Sequence, residues 1–163
     1  GKRLGIVRHP YFEFDKGSVL DVIFKTHLHT LRQCGAVLVD NLEISTFGEI
    51  FSSVSDVMYT ALNAEFKLAI NSYLKQLVKS PVRSLADVIQ FNRKFTKKEK
   101  LKDYGQERFR AAEKTNGIGP KEKKALLKMA EWSRDGFEKV MKENELDAIV
   151  AAGTDLSVVL YIG

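Results

Sequence analysis

"GSVLDVIFKTHLHTLRQCGAVLVDNLEI", residues 17–44, holds a helix and a strand joined at a single glycine. Ser18 and Asp21 make an S-x-x-D cap, in which the serine oxygen can take a backbone N–H of the first turn. Val19, Val22, Ile23, Thr26, Leu28 and Leu31 then recur at roughly helical spacing. Gly35 stands where a C′ residue in the left-handed region is wanted. "AVLVDNLEI", residues 36–44, follows as an apolar, β-branched run of the buried-strand type.

Working outward, "RLGIV" at 3–7 is a short strand signal that ends before Pro10. Strand, helix and strand with short joints predict a βαβ unit, hence a parallel pair. Parallel pairs are normally covered on both faces and belong to larger sheets. Two more apolar runs, "DAIVAA" and "LSVVLYIG", close the chain with "GTD" between them. The expected fold class is α/β, a partial mixed sheet of about four strands with several flanking helices.

The middle of the chain reads as helical. A pattern through Val57, Ala61, Ala64, Leu68, Ala69, Tyr73 and Leu77 predicts a helix over 56–79. "PVRSLADVIQFNRKF", residues 81–95, carries a second S-x-x-D cap at Ser84 and Asp87. Thr96 and Glu99 form a T-x-x-E box that predicts a helix over 97–115. "NGIGP" at 116–120 is a turn, with Pro120 at N1 of a helix running to about Asn144. There is no internal repeat and no linker, so residues 1–163 are expected to be one domain, an incomplete portion of a larger one.

Composition narrows the classes. Hydrophobic residues are 44% and charged residues 29%, as in ordinary globular domains. No apolar run approaches the roughly 20 residues of a membrane span, so no membrane partner is expected. The net charge is +5, and residues 93–102 account for all of it. Arg93, Lys94, Lys97, Lys98, Lys100 and Lys102 stand there against Glu99. Such a run can meet phosphate or an acidic partner. Phe95 is its only aromatic, however, and nucleic-acid faces usually interleave several. A solvated helix junction is favoured over a nucleic-acid contact. Cys34 stands alone, so no internal disulfide forms, and it is expected as a small buried or half-buried thiol.

Candidate chemistry is sparse. Ser72 and Lys75 match S-x-x-K, a spacing that lets a lysine one helical turn away deprotonate a serine. The partner motifs S-D-N and K-T-G are absent from the sequence. His27 and His29 are two apart, and on a helix they point away from each other, so they cannot share a metal. His9 precedes Pro10 without a carboxylate motif. Gly117–Pro120 precedes a helix, but Pro120 removes a donor, and a turn is the better reading. Ser52 and Ser53 lack neighbouring glycines and are expected in a loop or the approach to a helix. Catalytic, cofactor-binding and metal-binding residues are therefore all assigned as none.

The order of "RLGIVR", "HLHTLRQCGAVLVDNLEI", "AEFKLAINSYL", "SPVRSLADVIQFNRKF", "YGQERFRAAEKTNGI" and "RDGFEKVMKENELDAIV" resembles the amidase signature family. The likeness is to plant-type amidases, relatives of the glutamyl-tRNA(Gln) amidotransferases, and it covers almost the whole chain. It implies an α/β fold and ATP-independent hydrolysis of carbon–nitrogen amide bonds, without a cofactor. The family's catalyst is a serine, a second serine in a cis peptide, and a lysine, with a Gly/Ser-rich loop supplying oxyanion donors.

Those residues lie N-terminal to the matched region in the family, and none carries over here. Ala151 and Ala152 stand where the family usually has a Pro-containing pair. The resemblance thus implies a non-catalytic portion of an amidase, serving as scaffold and substrate-channel wall. The parent would take a small amide substrate. The missing initial Met and the strand-like C-terminus are expected to mark a cut-out segment, prone to self-association through exposed sheet edges. Targeting cannot be read from it. The rival expectation is a free-standing basic helical module for nucleic acid or an acidic protein.

Overall fold

The computed structural model describes residues Gly1–Gly153. They form β1 (Arg3–Val7), α1 (Val19–Gln33), β2 (Val37–Leu42), α2 (Phe47–Gln76), α3 (Leu85–Lys94), α4 (Leu101–Tyr104), α5 (Glu107–Glu113), α6 (Pro120–Trp132), a π-helical stretch (Ser133–Glu138), α7 (Lys139–Glu143) and β3 (Ala148–Val150). The predicted strand in "LSVVLYIG" lies outside the described residues. Two compact units emerge, one of Gly1–Val54 with the stretch from Met129 onward, the other Ser55–Lys128.

In the first unit the three described strands are all parallel, in the order β2-β1-β3. The α/β class and the βαβ unit are as expected. β1 is central, and its Ile6 and Val7 are fully buried. Gly5 is required there by close approach. A Cβ on it would come within 2.5 Å of Leu146 Cδ1 and 2.8 Å of Leu42 Cδ1, so only glycine lets these two leucines meet over the strand. Asp147 ties the N-terminal end of β1, accepting from the Arg3 amide at 2.7 Å and donating its own amide to the Arg3 carbonyl at 2.8 Å.

α1 starts as its cap predicts. The Asp21 amide donates to Ser18 Oγ at 3.3 Å, and Asp21 Oδ2 accepts from the Gly17 amide at 2.8 Å. It ends at Cys34, whose amide reaches the Thr30 carbonyl, and Gly35 follows at φ +88°. Cys34 itself is exposed, which corrects the expectation of a buried thiol. The C-cap position turns its side chain off the inward stripe of the helix.

The second unit is helical. Its core is Leu85, Ile89 and Ala112, with Phe66, Ile70 and Phe109 packed against them. The Ser84 cap forms as predicted, with the Asp87 amide donating to Ser84 Oγ at 3.1 Å. Asn71 Oδ1 accepts from the Leu85 amide at 2.7 Å, satisfying another donor of that first turn. Arg83 Nη1 donates to the Leu74 and Leu77 carbonyls near the end of α2. The segment 81–95 therefore serves a packed helix pair whose ends are closed by side chains.

Two helix boundaries differ from expectation, and one helix changes its geometry part-way. α2 begins at Phe47, nine residues before the periodicity shows, and so contains Ser52 and Ser53. No helix fills 97–115. Thr96 turns its hydroxyl back onto the Arg93 carbonyl at 2.7 Å instead of capping forward. Lys100 at φ +47° and Gly105 at φ +64° then break the run into α4 and α5. The helix from Pro120 does continue to the region of Asn144, but it widens to π geometry at Ser133–Glu138.

Candidate functional site

Ligands of parallel α/β sheets usually sit beyond the carboxyl ends of the strands. In the first unit, that region holds a closed ion pair. Arg8 Nε and Nη2 donate to Asp40 Oδ1 and Oδ2, both at 2.7 Å. Asp40 Oδ1 also accepts from the Asn41 amide at 2.8 Å. The guanidinium holds the Asp40 carboxyl below its usual range. The guanidinium and carboxylate satisfy one another. His9, next along the chain, pairs with Glu13.

The second unit carries a mainly apolar groove of ≈ 280 Å³ lined by Tyr59, Leu62, Asn63, Phe66, Arg108 and Phe109. Phe66 and Phe109 stack with centroids 5.7 Å apart, and the Arg108 guanidinium lies 3.8 Å from the Tyr59 ring centroid. Spacing along the chain gives no sign of this groove, because α2 and α5 meet only after folding. It can receive an apolar group, but no Ser, Cys or Lys lines it.

The motif candidates are not assembled into chemistry. Ser72 and Lys75 are both exposed, and Ser72 Oγ accepts from Gln76 Nε2 at 3.3 Å. Ser52 and Ser53 lie in the helical backbone of α2, with Ser52 Oγ donating to the Glu49 carbonyl at 3.1 Å. This corrects the loop expectation: the apolar and helix-forming residues around them extend the helix through both. Gly119 donates its amide to Glu122 Oε2 at 2.9 Å, so the turn before α6 is already occupied by the chain's own carboxylate. His27 and His29 are exposed on α1. Among the described residues, no three His, Cys, Asp or Glu come together to hold a metal, and no helix is long and apolar enough to cross a membrane.

All six cations of the 93–102 run are exposed. Lys94 Nζ and Lys98 Nζ lie 5.5 and 5.9 Å from the Phe95 ring centroid. Phe95 is further packed on Phe91 at 4.6 Å between centroids. The one aromatic of the run is thus engaged within the chain.

No family model matches the chain. A probable amidase of Arabidopsis thaliana is 52% identical over all 163 residues, which span 30% of that protein. The native peptide amidase of Stenotrophomonas maltophilia superposes on 91% of the chain, at 28% identity and a TM-score of 0.77, with 29% of its own length covered. An amidase family protein of Bacillus anthracis superposes on 99% of the chain, at 25% identity and a TM-score of 0.76. The chain is similar to a segment of amidase-signature proteins. It spans about 30% of the length of the relatives it matches. The match to the plant amidase takes in both the parallel sheet and the helical unit.

Proposed function

We propose that these residues are a non-catalytic portion of an amidase-signature hydrolase, acting as scaffold and as wall of its substrate channel. The parent reaction would be ATP-independent hydrolysis of a carbon–nitrogen amide bond by a Ser–cis-Ser–Lys catalyst outside this segment. The observation that carries the reading is the 52% identity over the whole chain to a probable amidase of which it covers 30%. The geometry supports it, since Ser72 and Lys75 are solvent-facing and Ser52–Ser53 is helical. The apolar groove at Phe66 and Phe109 is the surface that a channel wall would present.

A serine-directed fluorophosphonate probe tests the reading. The 163-residue chain is expected to remain unlabelled and to leave simple amides intact. Stoichiometric labelling would overturn the proposal, and exchange of Lys75 for Met would then show whether Ser72 is responsible.

A second reading rests on the six exposed cations at 93–102. A module for nucleic acid or an acidic protein would be retained on a phosphate-rich matrix and released steeply by salt. Absence of retention at low ionic strength removes it.

A further inference from the structure

The three prolines of the chain follow His9, Ser80 and Gly119, so Ser80 is the one hydroxyl residue that stands directly before a proline. Its surroundings, Lys79-Ser80-Pro81-Val82-Arg83, put one cation just before it and another three residues after it. The segment lies in the joint between the end of α2 at Gln76 and the start of α3 at Leu85. No helix or strand includes residues 77–84. Lys79, Pro81 and Arg83 are exposed, Ser80 is half-buried, and Val78 beside them is fully exposed.

Ser80 is tied only to its own turn. Its Oγ donates to the Val82 carbonyl at 2.8 Å and accepts from the Val82 amide at 3.2 Å, a turn closed by the side chain within two residues. Opening it leaves the packing of Leu85, Ile89 and Ala112 in place. Pro81 disfavours helical backbone at Ser80. An enzyme can thus draw the hydroxyl out on an extended segment without unfolding either helix.

Arg83 gives a phosphate at this place a structural consequence. Its Nη1 donates to the Leu74 carbonyl at 3.2 Å and to the Leu77 carbonyl, closing the end of α2. Its amide donates to Asp87 Oδ2 at 2.9 Å, so the approach to α3 already has its carboxylate. A phosphoserine carries about two negative charges and three strong acceptor oxygens. A guanidinium bonds such a group bidentately, and more strongly than it bonds neutral carbonyls.

We propose that Ser80 is a phosphorylation site for a proline-directed serine/threonine kinase, and that the phosphate draws Arg83 off the end of α2. Pro81 suits an enzyme pocket with no acceptor for a backbone N–H, which every other residue would leave unpaired. The Arg83 charge suits an anionic subsite three residues on. In the transfer, the serine O–H gives its proton to the kinase's general base and Oγ bonds to the γ-phosphorus of Mg²⁺-bound ATP. The bond from that phosphorus to the β–γ bridging oxygen breaks, and ADP leaves. The proposal stands independently of the amidase reading.

The test incubates the 163-residue chain with Mg²⁺-ATP and a purified cyclin-dependent kinase, followed by intact-mass and peptide mass spectrometry. One phosphoryl group per chain is expected, on the peptide holding Ser80, and none at that peptide in Ser80→Ala. Ser80→Thr should restore it, which separates loss of the acceptor from loss of the turn. Arg83→Gln should slow incorporation about tenfold. No incorporation into the wild type, or equal incorporation into Ser80→Ala, overturns the site. Hydrogen exchange reads the consequence. Amides in the last turn of α2 should exchange faster in the phosphorylated chain, those of β1 should not, and Arg83→Gln should reproduce the effect without phosphate. Unchanged exchange at the end of α2 after phosphorylation overturns the displacement of Arg83.

Discussion

Trp132 Nε1 donates to Glu49 Oε2 at 2.9 Å, joining the end of α6 to the first turn of α2. Trp132 is 2% exposed, and its carbonyl accepts from Thr46 Oγ1 at 3.1 Å, so ring, N–H and backbone are all engaged at one point. Removing the ring and removing the donor should have separable costs. Trp132→Ala is expected to destabilise by about 3–5 kcal/mol through the cavity it leaves. Trp132→Phe keeps most of the apolar volume and forfeits the donor, at about 1–2 kcal/mol. Glu49→Gln keeps an acceptor and should cost less than either. Denaturant midpoints of the three variants check the order, and a Phe variant as damaged as the Ala one would refute it.

Gly136 is held against the loop that leads into α2. A Cβ on it would stand 2.0 Å from Thr46 Oγ1 and 3.1 Å from Ile44 Cγ2. The wide π geometry at Ser133–Glu138 brings this backbone in, and the Asp135 carbonyl accepts from Ser45 Oγ at 3.1 Å. Gly136→Ala should therefore cost about 1–3 kcal/mol by overpacking. Thr46→Ala removes the nearest clashing atom, so the double variant should lose less than the two single losses combined. A double-mutant cycle measures that coupling. Strict additivity would show that the close approach is relieved by movement elsewhere.

These two contacts mark where the sequence stops being legible. The βαβ unit is readable because each of its parts is local: a cap at Ser18, a spacing through Leu31, a glycine after Cys34. The same holds for Ser84 and Asp87, where the signal and the bond it forms lie within one turn. Glu49 and Trp132 are 83 residues apart, and nothing in either neighbourhood announces the other. The start of α2 escapes the pattern because "FGEIFSSVS" is weak in helical periodicity, and the burial of Ile50 decides it. The break at 96–105 escapes it because a T-x-x-E box competes with local bonding, and Thr96 bonds backwards. The groove at Tyr59 and Arg108 has no linear signature.

Acid should weaken the carboxyl end of the sheet. Bonding from Arg8, foremost, holds the Asp40 carboxyl below its ordinary value. A carboxyl whose folded pKa is depressed contributes stability above its unfolded pKa of about 3.9, and loses it as the pH falls through the lower folded value. Arg8 stays charged throughout. The Arg8 side chain is 41% exposed and Asp40 26%, so solvent screening limits the pair to about 0–1 kcal/mol at neutral pH. Asp40→Asn should lower the melting temperature at pH 7 and flatten its fall between about pH 5 and 2. Parallel melting curves for the two proteins across that range would contradict the assignment.

Lys67 closes the end of α5. Its ammonium donates to the Glu113 carbonyl at 2.6 Å and the Thr115 carbonyl at 2.8 Å, with Glu113 Oε1 a further 3.3 Å contact. A cation at a helix C-terminus is favoured by the helix dipole, and here it also satisfies carbonyls that the helix itself leaves open. The side chain is only 21% exposed, so the bonds are poorly replaced by water. Lys67→Met keeps the aliphatic stem and removes both donors, and should cost about 1–3 kcal/mol. Lys67→Arg retains the charge but places it in a wider fork, and should recover only part of that. Hydrogen exchange localises the effect: amides of α5 should exchange faster in Lys67→Met, while those of β1 keep wild-type protection. Equal acceleration in both elements would mean that Lys67 supports the whole chain and not this helix end.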